Sequence, residues 1–90
     1  MVWTIKRTDT FLETFAQVRS DKRVIHELGK KLQRICEDPM NCGGWLSGSL
    51  QGKKSTRIAQ RYRLIFQPNE QEHVVYLIAI DHRKRVYKEK

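Results

Sequence analysis

The chain is 90 residues long, 39% hydrophobic and 31% charged, with a formal net charge of +8. That length leaves room for one domain and no second core, and the apolar residues fall in periodic blocks that exclude disorder. No run approaches the ~20 apolar residues of a membrane span, so no membrane association is expected.

The whole of residues 1–90 therefore reads as a single domain. Its start, Met1-Val2-Trp3-Thr4-Ile5-Lys6, lacks the apolar region of a signal peptide, and a cytoplasmic location is expected. Val2-Trp3-Thr4-Ile5 is β-branched or aromatic and predicts a short strand. Thr10 and Glu13 match a capping box, in which each side chain satisfies a free backbone donor of the other. Phe11, Phe15 and Val18 follow at helical spacing. Ser20-Asp21 ends that helix and caps a second one. There Ile25, Leu28, Leu32 and Ile35 form one apolar stripe, with Lys22, Arg23, Lys30, Lys31 and Arg34 on the other faces. So short a link predicts a helical hairpin. Asp38-Pro39 ends it, because proline disfavours helix in the residue before it.

Asn41 to Gly52 reads as a loop holding four of the five glycines. Its Trp45, Leu46 and Leu50 require partial docking on the body, and both Trp3 and Trp45 are expected in the core. Two strands follow, about Lys54–Ala59 and Tyr62–Gln67, joined by a tight turn at Gln60-Arg61. Val74 to Ile80 is a continuous apolar run, the pattern of a central strand buried on both faces. The order β-α-α-β-β-β predicts an α+β fold: an N-terminal helical hairpin packed on one face of a mostly antiparallel four-stranded sheet. Cys36 and Cys42 lack metal-type spacing and read as free thiols.

The charge is localised. Residues 51–67 carry five basic residues, Lys53, Lys54, Arg57, Arg61 and Arg63, and no acidic one. Arg83, Lys84, Arg85 and Lys88 form a second cluster. Strand alternation turns Ile58, Leu64 and Phe66 toward the helices and leaves Arg57 and Arg63 on the open face of neighbouring strands. There they are close enough to hold one phosphate, and the planar arginine fork suits its oxygens. Without an anion the two side chains repel each other. The plainer alternative is a solvated face whose arginines pair with helix carboxylates. His82 ends the apolar strand and sits in basic surroundings, where a histidine can give or take a proton near neutral pH. His26 and His73 read as structural or exposed. Tyr87 lies further along the second basic cluster.

Several segments, taken in order, resemble the RelE/ParE superfamily of toxins from type II toxin–antitoxin modules. They are the hairpin ending in Glu37-Asp38-Pro39, then Leu50-Gln51-Gly52, Thr56-Arg57-Ile58 and Tyr62-Arg63-Leu64-Ile65-Phe66. The last is Ile80-Asp81-His82-Arg83-Lys84-Arg85-Val86-Tyr87. The resemblance covers essentially the whole chain. It implies one of two activities. The RelE-like branch cleaves mRNA in the ribosomal A site without a metal. The ParE-like branch inhibits DNA gyrase and lacks the nuclease residues. Arg57, Arg63, Arg83 and Tyr87 fall at basic and tyrosine positions of the RelE-like branch. Ala59 departs from it, standing where some relatives carry a second lysine.

On that resemblance the substrate's own 2′-hydroxyl attacks the phosphate. Arg57 and Arg63 stabilise the developing charge. His82 or Tyr87 handles protons. The ordinary pKa of a histidine, already suited to the task, tilts the choice slightly to His82, while the neighbouring Arg83 favours a phenolate at Tyr87. Lys53, Lys54, Arg61, Lys84, Arg85 and Lys88 are expected along the RNA backbone. The implied partners are a cognate antitoxin, mRNA and ribosomal RNA, with no metal and no small-molecule cofactor. Three alternatives stay open: a gyrase inhibitor acting by protein contact, a nucleic-acid-binding module without chemistry, and an inactive relative. The open face lacks the aromatic residues on which single-strand binders stack bases, which disfavours the second.

Overall fold

A computed structural model describes residues 2–82. Strand β1 (Thr4–Arg7) leads into helices α1 (Asp9–Ala16) and α2 (Lys22–Glu37). Strands β2 (Gly44–Trp45), β3 (Lys54–Ile58), β4 (Tyr62–Asn69) and β5 (Val74–His82) follow. They form one sheet in the order β1-β5-β4-β3-β2, antiparallel except for the β1–β5 pair. The expected α+β architecture holds, with five strands rather than four among the described residues.

The additional strand lies in the stretch read as a loop. Gly43 makes it possible: its φ is +65°, and a Cβ there would stand 2.2 Å from the Ser55 carbonyl oxygen. Only glycine lets the backbone come this close to β3 before Gly44 and Trp45 pair with Ser55 and Lys54.

The helices bury one face of the sheet. Phe11 and Val18 with Val24, Leu28 and Ile35 of α2 pack on Ile58, Leu64, Phe66, Val75, Leu77 and Ile80. The α2 stripe is rotated from the expected one: Val24 is fully buried while Ile25 is 38% exposed. The cap of α1 also falls elsewhere. Thr8, not Thr10, caps α1, its hydroxyl accepting from the Phe11 N–H at 3.2 Å and donating to the Leu77 carbonyl at 2.7 Å. Three residues after Thr8 stands Phe11, so no reciprocal glutamate cap forms. Asp21 caps α2 as expected.

Past Arg7, β1 no longer covers the edge of β5, and α1 takes its place. The Thr8 N–H donates to the Leu77 carbonyl, and the Thr14 hydroxyl accepts the Ile80 N–H at 3.0 Å. Two threonines thus satisfy backbone groups that a longer strand would have paired.

Between β3 and β4 the turn is wider than the expected two residues. Ala59 (φ +49°) and Gln60 (φ +68°) are both left-handed, and the Arg61 N–H donates to the Ala59 carbonyl at 2.7 Å. Ala59 is therefore a turn residue and not a strand position. A second irregularity lies in β5. Ile65 pairs with Ala79 but Phe66 pairs with Leu77, so Ile78 is bulged out of register. One extra residue reverses which face every later side chain occupies.

Candidate functional site

The bulge at Ile78 decides the site. Leu77 and Val75 face the helices, and simple alternation would send Asp81 the same way. With Ile78 inserted, Ile80 returns to the core instead, and Asp81 turns to the open face. Two rows of cross-strand partners result at one end of the sheet. Arg57, Arg63 and Asp81 form the row on the open face. Ile58, Tyr62 and His82 form the next row, on the helix side.

Arg57 is exposed, while Arg63 and Asp81 are half-buried. On the same face lies the row Ser55, Ile65 and Ala79, all buried. The arginine pair thus borders a strip of low polarity, where charge interactions are less screened than in open water. The Asp81 carboxylate accepts its neighbour's backbone N–H, from His82, at 2.8 Å.

The His82 ring meets Tyr62 edge-on, with centroids 5.8 Å apart and planes at 70°. Beside them opens a cleft of about 180 Å³ lined by Thr14, Gln17, Val18, Tyr62, Ile80, Asp81 and His82, so Asp81 borders this cleft as well. His82 is therefore on the other side of the sheet from the face that carries Arg57 and Arg63.

The remaining basic residues separate. Arg61 is exposed at the tip of the β3–β4 turn, and Lys53 is half-buried just before β3. Lys54 is buried, which corrects the expectation of a side chain facing RNA. It is 2% exposed, and its ammonium donates to the carbonyls of Met40 at 2.6 Å and Pro39 at 3.2 Å. The Trp45 ring covers it at 4.8 Å. Burial lowers the Lys54 pKa, partly opposed by the nearby Cys42 and Asp38. Trp45 itself is 56% exposed rather than core, lying over this lysine at the sheet edge. Arg83, Lys84, Arg85, Tyr87 and Lys88 lie outside the described residues.

His73, expected to be structural or exposed, is half-buried and stacked on Trp3 with centroids 4.3 Å apart. Cys36 and Cys42 are free thiols. Among the described residues no three His, Cys, Asp or Glu side chains are grouped to share a metal ion, and no helix is long and apolar enough to cross a membrane.

Sequence reasoning missed Asp81 and Tyr62 as neighbours of the site. The signal for Tyr62 was present, because alternation from Leu64 and Phe66 already places it on the helix side. Asp81 gave none, since the apolar run from Val74 to Ile80 conceals its bulge.

Residues 4–87 match a family model described as the ParE toxin of type II toxin–antitoxin system, parDE. No curated protein sequence matches the chain. Solved structures do. The RelBE2 toxin–antitoxin complex from Mycobacterium tuberculosis superposes with a TM-score of 0.77 at 21% identity, over 92% of this chain and 100% of that one. The YoeB/ParE toxin from Agrobacterium tumefaciens gives 0.77 at 17% identity, over 89% and 98%. The isolated RelE toxin from E. coli gives 0.74 at 23% identity, over 97% and 93%. At these identities the likeness is one of fold.

Proposed function

The chain belongs to the ParE toxin family of type II toxin–antitoxin systems, and from that premise we propose that it is a ribosome-dependent mRNA endoribonuclease that stops translation. The observation that carries this reading is the direct cross-strand pairing of Arg57 with Arg63 on the open face. Two like charges held opposite each other are unfavourable unless an anion sits between them. A phosphodiester fits, because each guanidinium can donate two parallel hydrogen bonds to it.

In this mechanism the 2′-hydroxyl of the mRNA attacks the adjacent phosphorus while the bond to the departing 5′ oxygen breaks. Arg57 and Arg63 hold the phosphate and stabilise the charge that builds on its oxygens. One group must accept the hydroxyl proton, and water protonates the departing 5′ oxygen. Tyr87, matched through the resemblance, is assigned the proton-accepting role, with Arg83 favouring its phenolate. His82 lies on the other face of the sheet from the arginine pair, and we do not assign it this step. Lys53, Arg61, Lys84, Arg85 and Lys88 are proposed to follow the RNA backbone. The RelBE2 structure is a toxin–antitoxin complex. By analogy a small antitoxin is the proposed protein partner here, with mRNA and ribosomal RNA as the nucleic-acid partners.

A second reading has one observation in its favour: the matching family model carries the ParE name. On that reading the toxin inhibits DNA gyrase by protein contact. One experiment divides the two. The chain is added to a purified translation system and, separately, to a gyrase supercoiling assay. The nuclease reading predicts mRNA truncated at the A site and supercoiling intact. Blocked supercoiling with full-length mRNA would replace it with the second reading.

A further inference from the structure

We infer that Asp81 is an internal competitor for the RNA phosphate, a carboxylate that occupies one side of Arg63 until substrate displaces it. The inference rests on the nuclease reading and deepens it. Two observations and one general distance lead here. Asp81 is the direct cross-strand partner of Arg63, as Arg57 is on the other side. Opposed residues on one face of an antiparallel pair have Cβ atoms roughly 5 Å apart, within reach of an aspartate and an arginine fork. The bulge at Ile78 is what brings Asp81 to this face, since without it the carboxylate would point toward the helices.

The carboxylate is also held in place. It accepts the backbone N–H of His82 at 2.8 Å, which fixes it at the end of β5. The site therefore has an asymmetric charge pattern across three strands: an exposed cation, a half-buried cation and a half-buried anion. Arg57 meets the phosphate directly. Arg63 engages it only by exchanging one carboxylate for one phosphate. Asp81 touches no reacting atom in this scheme; it sets how strongly RNA is held.

Asp81→Asn tests this, because asparagine keeps the acceptor for the His82 N–H and removes the charge. Asp81→Ser does the same with a shorter side chain and covers the case where the first variant folds poorly. The probe is an oligoribonucleotide with 2′-O-methyl groups, which binds but lacks the attacking hydroxyl. Its affinity for the full chain is measured across a salt series. Asp81→Asn should bind roughly 10-fold tighter at low salt, as one charge-assisted contact is freed. Its plot of log affinity against log salt should steepen by up to about 0.7, the increment for one further phosphate on a single strand. Adding Arg63→Ala should cancel both gains. Affinity and slope equal to those of the unsubstituted chain, in both variants, would overturn the inference. If the unsubstituted chain binds no RNA and truncates no mRNA, the nuclease reading itself has failed, which is a separate result.

Discussion

Arg57 and Arg63 are direct cross-strand partners on the face of the sheet away from the helices. Such a pair opposes folding slightly and assists anion binding, so its removal should separate stability from activity. Arg57→Ala and Arg63→Ala should each lower mRNA cleavage by ~10²–10³-fold, the cost of losing one preorganised charge-stabilising donor. For Arg57→Ala, stability should be unchanged or higher by ~0.2–1 kcal/mol, because a like-charge contact is relieved. Cleavage in a translating extract and thermal melting of the same samples check both halves. A large fall in melting temperature with Arg57→Ala would mean that the pair is structural.

Lys54 gives the opposite expectation. Its ammonium satisfies the carbonyls of Met40 and Pro39 beneath Trp45, so Lys54→Met should be destabilising by ~1–3 kcal/mol, the cost of orphaning buried acceptors. RNA binding by the folded fraction should be little changed. The pH dependence follows from the lowered pKa, caused mainly by burial. Between the folded pKa and the unfolded value of 10.5 the unfolded chain binds more protons, so this group's contribution to stability rises with pH across that window. Below the window both states are charged, and the contribution is flat. Urea midpoints of the unsubstituted chain and Lys54→Met, compared from neutral pH to above 10.5, should diverge in that sense.

Thr14 stands where α1 replaces β1 against β5. Its hydroxyl accepts the Ile80 N–H and donates back to its own helix, to Thr10 and Phe11 carbonyls. Thr14→Val keeps the shape and removes the acceptor, leaving that N–H unsatisfied. A loss of ~1–3 kcal/mol is expected. Hydrogen exchange at Ile80 should accelerate more than exchange in β3, since the damage is local to one edge. Equal acceleration across the sheet would point to global unfolding instead.

These residues also show where the sequence was readable. The core face of β3 and β4 followed from alternation, because Ile58, Leu64 and Phe66 share one face while Arg57 and Arg63 fall on the other. The arginine pair came with it. Three features did not follow. Lys54 sits at a core position in β3, where the Pro39 and Met40 carbonyls and the Trp45 ring make a charged side chain tolerable. Gly43 looked like one more loop glycine, whereas a close backbone approach demands it. The bulge at Ile78 lies inside an unbroken apolar run, so nothing in the pattern marks the change of face. That one residue puts Asp81 on the open face and His82 on the helix side.

The change of face bears directly on the proton carrier. A phosphate between Arg57 and Arg63 lies on the open face, while the His82 ring stands edge-on to Tyr62 on the helix side. A general base must come within hydrogen-bond reach of the proton it removes. His82→Gln should therefore leave cleavage within about 10-fold of the unsubstituted rate, whereas Tyr87→Phe should lower it by ~10²–10⁴-fold. The pH profile adds a readout that misfolding does not imitate. An imidazole carrier gives a limb near neutral pH. A tyrosine whose phenolate is favoured by neighbouring cations gives a rate that keeps rising above it. His82→Gln should leave the profile in place. If instead that substitution removes a near-neutral limb together with activity, the histidine carries the proton, and the substrate must bind around the end of the sheet rather than on its open face.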